Sequence, residues 1–269
     1  MIPKILHYCW FSYPENYPDD VQRCIASWKS KLADYEIKIW NAKNFDVTIL
    51  PYVEEAYREG MYAFASDYVR LWALYHYGGI YLDSDVEVLK DFDDLLSNKA
   101  FTGLEDENWV GPWILGSEKG NPLFKEFMDY YEGRHFLLPD GQYDLTANSH
   151  PVTEQLLAHG FRRVNEIQHL DQITIYPMTF FCPFNPYRQA GECFSERSYT
   201  IHYFNGAWIK AEQEKKYRTR EEKYIRLLGR YWGPKIYSAL YKIRHLDKIW
   251  TQRKKARDKM IIQRRLSVQ

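Results

Sequence analysis

The run Gly78-Gly79-Ile80-Tyr81-Leu82-Asp83-Ser84-Asp85 leaves the chain few ways to fold. It follows a helical pattern from Tyr52 to Tyr77, interrupted near Gly60, and two successive glycines end such a helix in backbone conformations that other residues avoid. The short apolar run after them reads as a buried strand. Helix, glycine stop and buried strand together make half of a βαβ unit, and the rest of the chain keeps that alternation. Ile2 to Trp10 and Tyr35 to Trp40 read as strands around a helix from Asp20 to Lys31, with Val21, Cys24, Ile25 and Trp28 on one face. Further helices fit Pro122 to Tyr131 and Val152 to His159, and further strands fit Ile173 to Tyr176 and Ser198 to Tyr203. The expectation is an α/β domain with a mainly parallel sheet and helices on both faces. Ligands of such sheets gather at the carboxyl ends of the strands.

Two carboxylates, Asp83 and Asp85, leave the end of the strand 80–82 one residue apart. At a strand period of two they point the same way, about 6–7 Å apart. Their repulsion is relieved by a hard divalent cation, Mg²⁺ or Mn²⁺, which keeps positions open for phosphate oxygens. An acidic loop without a ligand shows the same pattern. Glu87 is a third acid in alternation and reads as a solvated one. On the preceding helix Asp67 and Arg70 stand at i,i+3. They make either an intrahelical ion pair worth about 0.2–0.5 kcal/mol, or a carboxylate for sugar hydroxyls beside a guanidinium for a sugar or phosphate oxygen. The spacing does not choose between the two.

Composition narrows the class. The 269 residues carry 36 Lys+Arg and 36 Asp+Glu, but residues 215–269 hold 18 basic and 4 acidic ones, so the tail is +14 and residues 1–214 are −14. We therefore divide the chain into a body, 1–214, and a basic tail, 215–269. Apolar residues recur at helical spacing in the tail, as in Tyr224, Leu227, Leu228 and Tyr231, and Gly233-Pro234 marks a helix stop and start. A basic amphipathic tail fits an anionic membrane surface or the acidic body itself; nucleic acid fits it less well. No run is long and apolar enough to span a membrane, and MIPKILHYCWF is too short for a signal peptide, so the expected location is the cytoplasm, with peripheral contact at the inner face of the membrane. Cys9, Cys24, Cys182 and Cys193 form no CxxC pair, which argues against zinc and for reduced thiols.

The run Ala65-Ser66-Asp67-Tyr68-Val69-Arg70-Leu71, then Leu74-Tyr75, then Gly78 to Val86 resembles the signature of glycosyltransferase family 32, the DxD-containing sugar transferases. The opening Ile2 to Phe11, the segment Ser27-Trp28-Lys29, Glu36-Ile37 with Trp40-Asn41, and Ile201 to Trp208 are similar as well, so the likeness spans roughly residues 1–210. The catalytic domains of large clostridial glucosylating toxins are similar around the same motifs. The resemblance implies a GT-A fold, a nucleotide-sugar donor bound with Mn²⁺ or Mg²⁺, and transfer with retention at the anomeric carbon. It implies that Trp10 stacks on the nucleobase, that Ser66, Asp67 and Arg70 line the donor sugar, and that Tyr81 lies by the ribose. Asp83 would hold ribose and metal-bound water, Asp85 would bind the metal directly, His202 would stand near metal or diphosphate, and Trp208 would donate to a diphosphate oxygen. Two departures stand out. Phe11-Ser12-Tyr13 replaces the glycines many relatives have after the tryptophan, and Ala207 replaces a serine, removing a hydroxyl that could reach phosphate.

The mechanism expected from these residues is front-face transfer without a protein nucleophile, with Asp67, Arg70 and Asp85 carrying it. Uridine is the favoured base, from its use by the relatives with a stacked tryptophan. The acceptor, a glycan that a lipid could carry in capsule or O-antigen synthesis, is expected on two candidate loops, Glu105 to Ser117 and Glu132 to His150, which lack clear periodicity. The competing classes are a Mg²⁺-dependent nucleotidyl or phosphoryl transferase and a non-catalytic carbohydrate-binding or scaffold protein. The first usually adds a glycine-rich or lysine-bearing phosphate loop, which is not found here.

Overall fold

Alternating apolar residues build the first βαβ unit. β1 (Ile5–Cys9) runs parallel to β2 (Glu36–Trp40), with Ile5 opposite Glu36 and Cys9 opposite Trp40, and α1 (Asp19–Lys31) connects them. α1 buries Val21, Cys24 and Trp28, the stripe its spacing predicts. The chain is described, in a computed structural model, over residues 1–12, 17–185 and 194–205. Trp208, Cys193 and the basic tail lie outside those residues.

The helical stretch before the glycines is two helices, α2 (Pro51–Arg58) and α3 (Tyr62–Tyr77), with Gly60 at φ 70° between them. α3 packs against α2, β1 and the strands beyond, and nearly every residue from Phe64 to Leu74 is buried. It has almost no solvent face, so Asp67 and Arg70 are carried into the interior. Gly79 (φ 111°) then opens β3 (Gly79–Leu82), parallel to β1. A Cβ on Gly79 would lie 2.5 Å from the Ile5 carbonyl oxygen, so only glycine admits this approach of backbone to backbone.

The remaining elements are β4 (Val86–Val88), β5 (Ala100–Leu104), β6 (Val110–Ser117), α4 (Pro122–Asp129), α5 (Ser149–Ala158), β7 (Gln168–His169), β8 (Thr174–Tyr176), α6 (Met178–Phe181) and β9 (Thr200–His202). The seven-stranded sheet has the order β2-β1-β3-β6-β5-β8-β7. β1, β2, β3, β5 and β8 share one direction, while β6 and β7 run against it. α3, α5 and α6 pack on this sheet. The α/β architecture and the predominance of one strand direction agree with the expectation. β4 and β9 form a separate antiparallel ribbon. Among the described residues no helix is long and apolar enough to cross a membrane.

One expectation is corrected. Much of the segment Glu105 to Ser117 is no loop: from Val110 onward it is β6, at the middle of the sheet and buried throughout. Gly111 and Pro112 disguise it. A Cβ on Gly111 would lie 2.3 Å from the indole nitrogen of Trp113, so the glycine makes room for a ring lying back over its own strand. Pro112 lacks a ladder donor, and the pairing with β5 shifts register beside it, between Thr102 and Leu104.

His7 of β1 is fully buried and joins three elements. Its Nε2 donates to the Gly78 carbonyl at 2.8 Å, and the Trp40 indole donates to its Nδ1 at 3.1 Å, which fixes the neutral tautomer. Burial holds its pKa down at about 4, against an ordinary 6.5. A lowered pKa means that the stability His7 contributes is complete above pH 6.5 and is lost as pH falls toward 4. Relative to His7→Gln, the native protein should lose about 3 kcal/mol between pH 7 and pH 4. Urea unfolding of both proteins across that range checks this, and parallel pH profiles would refute it.

Candidate metal and donor site

The acid pair does not converge by strand alternation as expected. β3 ends at Leu82, and the Val86 N–H donates to the Asp83 carbonyl at 3.1 Å, closing a tight turn around Ser84 and Asp85. β4 then pairs with β9, placing Val86 opposite His202. That pairing brings residues 117 positions apart in sequence together: His202 Nε2 lies 3.3 Å from Asp85 Oδ1. One ligand atom each from Asp83, Asp85 and His202 falls within 4.8 Å of the others. Glu87, expected to be solvated, instead pairs with the Tyr203 hydroxyl and faces Arg23 at 3.9 Å, bracing the ribbon.

The intrahelical pair exists and extends beyond its helix. Arg70 Nη2 lies 2.9 Å from Asp67 Oδ1 and 3.2 Å from Asp83 Oδ1. Nε donates to the Ser66 carbonyl at 3.3 Å, and Nη1 donates to the Pro112 carbonyl at 3.1 Å. Ser66 Oγ also accepts from Nη2, so Ser66 braces the guanidinium. The Tyr81 hydroxyl donates to Asp83 Oδ1 at 2.8 Å while the guanidinium sits 4.8 Å from the centre of the Tyr81 ring. The helix pair and the acid turn are thus one network, with Arg70 at its junction.

That network is short of positive charge. Burial raises Asp67 to about 7, although Arg70 opposes the rise, and burial also raises Asp83. Glu105, just past β5, is raised by burial to about 7 within the electrostatic reach of His202 and Asp83. Burial would raise Asp85 too, but His202 and the Asn205 N–H outweigh it and hold its carboxyl at about 2. Four carboxylates thus face Arg70 and, when protonated, His202. A divalent cation would supply the missing charge, and two carboxylates with one imidazole would suit Mn²⁺ and, less well, Mg²⁺. The buried Nδ1 of His202 and Nε1 of Trp113 have no hydrogen-bond partner among the described residues, and their rings lie 4.6 Å apart.

Trp10 ends β1, half-buried, with its N–H on the Trp40 carbonyl and its ring 4.9 Å from that of Tyr17. It stands at the carboxyl end of β1. Trp208 lies outside the described residues. Sequence reasoning missed Trp113 and Asn148. Asn148 precedes α5 but makes no side-chain cap; its amide donates to the Asp67 carbonyl at 3.3 Å instead. A capping residue that leaves its own helix uncapped was the available signal. The segments 105–109 and 132–150 do meet, because Trp109 stacks on His150 with centroids 4.0 Å apart and planes 9° from parallel.

Residues 18–102 match the family described as the glycosyltransferase sugar-binding region containing a DXD motif. Residues 18–102 are thus similar to a DXD glycosyltransferase sugar-binding region. Relatives of the chain include inositol phosphoceramide mannosyltransferase 3 of Schizosaccharomyces pombe, 32% identical over 45% of this chain and 35% of the relative. A mannosyl phosphorylinositol ceramide synthase of Saccharomyces cerevisiae is 31% identical over 46% of this chain and 34% of the relative. The match thus spans about a third of the length of these curated relatives. An uncharacterised glycosyltransferase of Acanthamoeba polyphaga mimivirus is 25% identical over 68% of this chain and 78% of its own. Among solved structures, the PaToxG glycosyltransferase is 18% identical over 58% of this chain and 68% of that one, with a TM-score of 0.43. A glycosyltransferase involved in glycosylation of the major capsid of PBCV-1 is 12% identical over 78% of this chain and 98% of that one, with a TM-score of 0.44. The DXD region holds Ser66, Asp67, Arg70, Tyr81, Asp83 and Asp85, while Trp10, Glu105, Trp113, Asn148 and His202 reach the site from outside the matched residues.

Proposed function

We propose that this chain is a metal-dependent, retaining glycosyltransferase that moves a hexosyl or N-acetylhexosaminyl group from a nucleotide sugar to a glycan or lipid-linked acceptor. The observation that carries the reading is Arg70, which ties the sugar-type carboxylate Asp67 to the metal-type carboxylate Asp83 in one buried network. A divalent ion held by Asp83, Asp85 and His202 would neutralise the donor diphosphate and favour its departure. Asp67 accepts from hydroxyls of the sugar, and Arg70 keeps Asp67 and Asp83 in fixed relation. Trp10 stacks on the base, and Tyr81 sits by the ribose. Among the described residues no Cys/His or Ser/His set is arranged as a nucleophile, so the acceptor hydroxyl enters on the face the diphosphate leaves and passes its proton to a diphosphate oxygen. The stacked Trp109 and His150 offer a platform for the acceptor sugar. The yeast relatives, named as a mannosyltransferase and a mannosyl phosphorylinositol ceramide synthase, place mannose beside glucose, galactose and their N-acetyl forms as sugars to test.

Thermal unfolding of the full chain with UDP, GDP and a panel of their sugar conjugates, with and without Mn²⁺, tests this. One nucleotide should stabilise the protein by about 2.7 kcal/mol at a hundredfold excess over Kd, and only when Mn²⁺ is present. Stabilisation by none of them would overturn the reading, and an inverted product would overturn retention. The +14 charge of residues 215–269 supports peripheral attachment to an anionic membrane. Deleting the residues after 214 should then release the protein from anionic liposomes, and unchanged binding would reject that attachment.

A further inference from the structure

Asp85 is held by the backbone of the segment that follows β9. The Asn205 N–H donates to Asp85 Oδ2 at 2.8 Å, and the Tyr203 N–H donates to the Asp85 carbonyl at 3.1 Å. Between them Phe204 has φ 49°, a left-handed conformation that a bulky residue adopts only when its surroundings impose it. The Phe204 ring lies 4.0 Å from that of His202. The segment 202–205 thus fixes two metal-type ligands at once and carries strain that favours its release.

What opposes release is a contact outside the segment. Asn205 Nδ2 donates to Asp20 Oδ2 at 2.7 Å. Asp20 is in the first turn of α1, and its other oxygen accepts from the Val21 N–H at 3.1 Å, so the carboxylate is oriented and favoured by the helix N-terminus. α1 is in turn locked to β4, the strand directly after Asp85. The Trp28 indole donates to the Val86 carbonyl at 2.7 Å, and the Val88 N–H donates to Ser27 Oγ at 2.9 Å. Helix, ribbon and segment form one frame, with the Asp20–Asn205 bond joining the helix to the strained segment.

We propose that Asp20 is a positioning residue for the divalent cation, acting through Asn205 to hold Asp85 and His202 in binding geometry. The inference rests on the metal-dependent reading above. Groups that orient a ligand usually set metal affinity by a factor of about 10–100. Free Mn²⁺, read by electron paramagnetic resonance, gives the Kd of the full chain and its variants in the presence of UDP or GDP, whichever binds. Asp20→Ala should weaken Mn²⁺ binding about tenfold. Asp20→Asn, which keeps an oxygen for Asn205 but loses the charge, should stay within about threefold of the native protein. Asn205→Ala keeps the backbone donor to Asp85, removes the amide that meets Asp20, and should match Asp20→Ala; it carries the test should Asp20→Ala fail to fold. At saturating Mn²⁺ the turnover of these variants should return, which a merely structural defect would not allow.

Native Mn²⁺ affinity in both alanine variants would overturn the proposal. Equal losses in Asp20→Asn and Asp20→Ala would also overturn it, because a carboxylate acting through space, and not through Asn205, would then explain the effect. A native protein that binds no Mn²⁺ would instead overturn the metal-dependent reading, and this inference with it.

Discussion

Asp85→Asn should lower kcat/KM for glycosyl transfer by about a thousandfold or more while leaving the fold intact. The substitution is nearly isosteric. The amide oxygen can still accept from the Asn205 N–H that now meets Oδ2 at 2.8 Å, so the segment 203–205 keeps its anchor. What is lost is the charge: Asp85 is the one carboxylate of the site held below its ordinary range, at about 2, and is ionised at every working pH. A neutral amide is a poor ligand for a hard divalent cation. Stabilisation of a departing diphosphate by such an ion is worth several kcal/mol, which converts to three or more powers of ten in rate. The folded-state pKa is depressed, so the stability Asp85 contributes is present above pH 3.8 and lost as pH falls through 2. Its removal should cost about 2 kcal/mol at neutral pH. Transfer assays across a Mn²⁺ titration, alongside urea unfolding, separate the two effects. Undiminished transfer in Asp85→Asn would remove Asp85 from the mechanism.

The local elements of this site were legible because they lie within one helix, one glycine stop and one strand. Gly78 and Gly79 announce the end of α3, the apolar run announces β3, and Asp83 with Asp85 announces a cation. The alternation of strands and helices gave the α/β class, and most predicted boundaries lie within a few residues of the observed ones. What stayed hidden depends on contacts distant in the chain. His202 was expected there from the family resemblance alone, since it meets Asp85 only because β9 pairs with β4 and no spacing encodes that pairing. β6 looked like a loop because Gly111 and Pro112 are strand breakers, yet here they serve a folded-back indole and a carbonyl for Arg70. For Asp67 and Arg70 the ion pair is formed, and burial rather than spacing gives it weight: an i,i+3 pair on an exposed helix is marginal, but α3 has almost no exposed face. Glu87 failed in the opposite sense, since its alternation placed it toward solvent while Tyr203 and Arg23 claim it.

Burial also sets the largest stability effect expected in the chain, at Arg70. Its side chain is 6% exposed and satisfies two carboxylates and two carbonyls. Arg70→Met fills similar space but leaves Asp67 and Asp83 without their common counter-ion and the Ser66 and Pro112 carbonyls without a donor. Breaking a buried pair by removing one partner costs about 3–5 kcal/mol, because the stranded charge is still buried. Arg70→Lys should recover only part of this, since one ammonium cannot reach four acceptors set out for a planar fork. The pH dependence gives a second handle. Asp67 already titrates at about 7 with Arg70 present, and loss of the guanidinium moves it further upward. A carboxyl whose folded-state pKa is raised contributes stability below its unfolded value near 3.8 and loses it as pH rises. The variant should therefore be weakest under alkaline conditions and approach the native protein toward pH 4. Adding Asp67→Asn to Arg70→Met removes one stranded carboxylate and should restore part of the loss at pH 8 but little at pH 4. Urea unfolding of the three proteins in EDTA at both pH values measures this. A loss below 1 kcal/mol in Arg70→Met, or a double variant no more stable than the single one at pH 8, would mean that Arg70 is not the counter-ion on which both carboxylates depend.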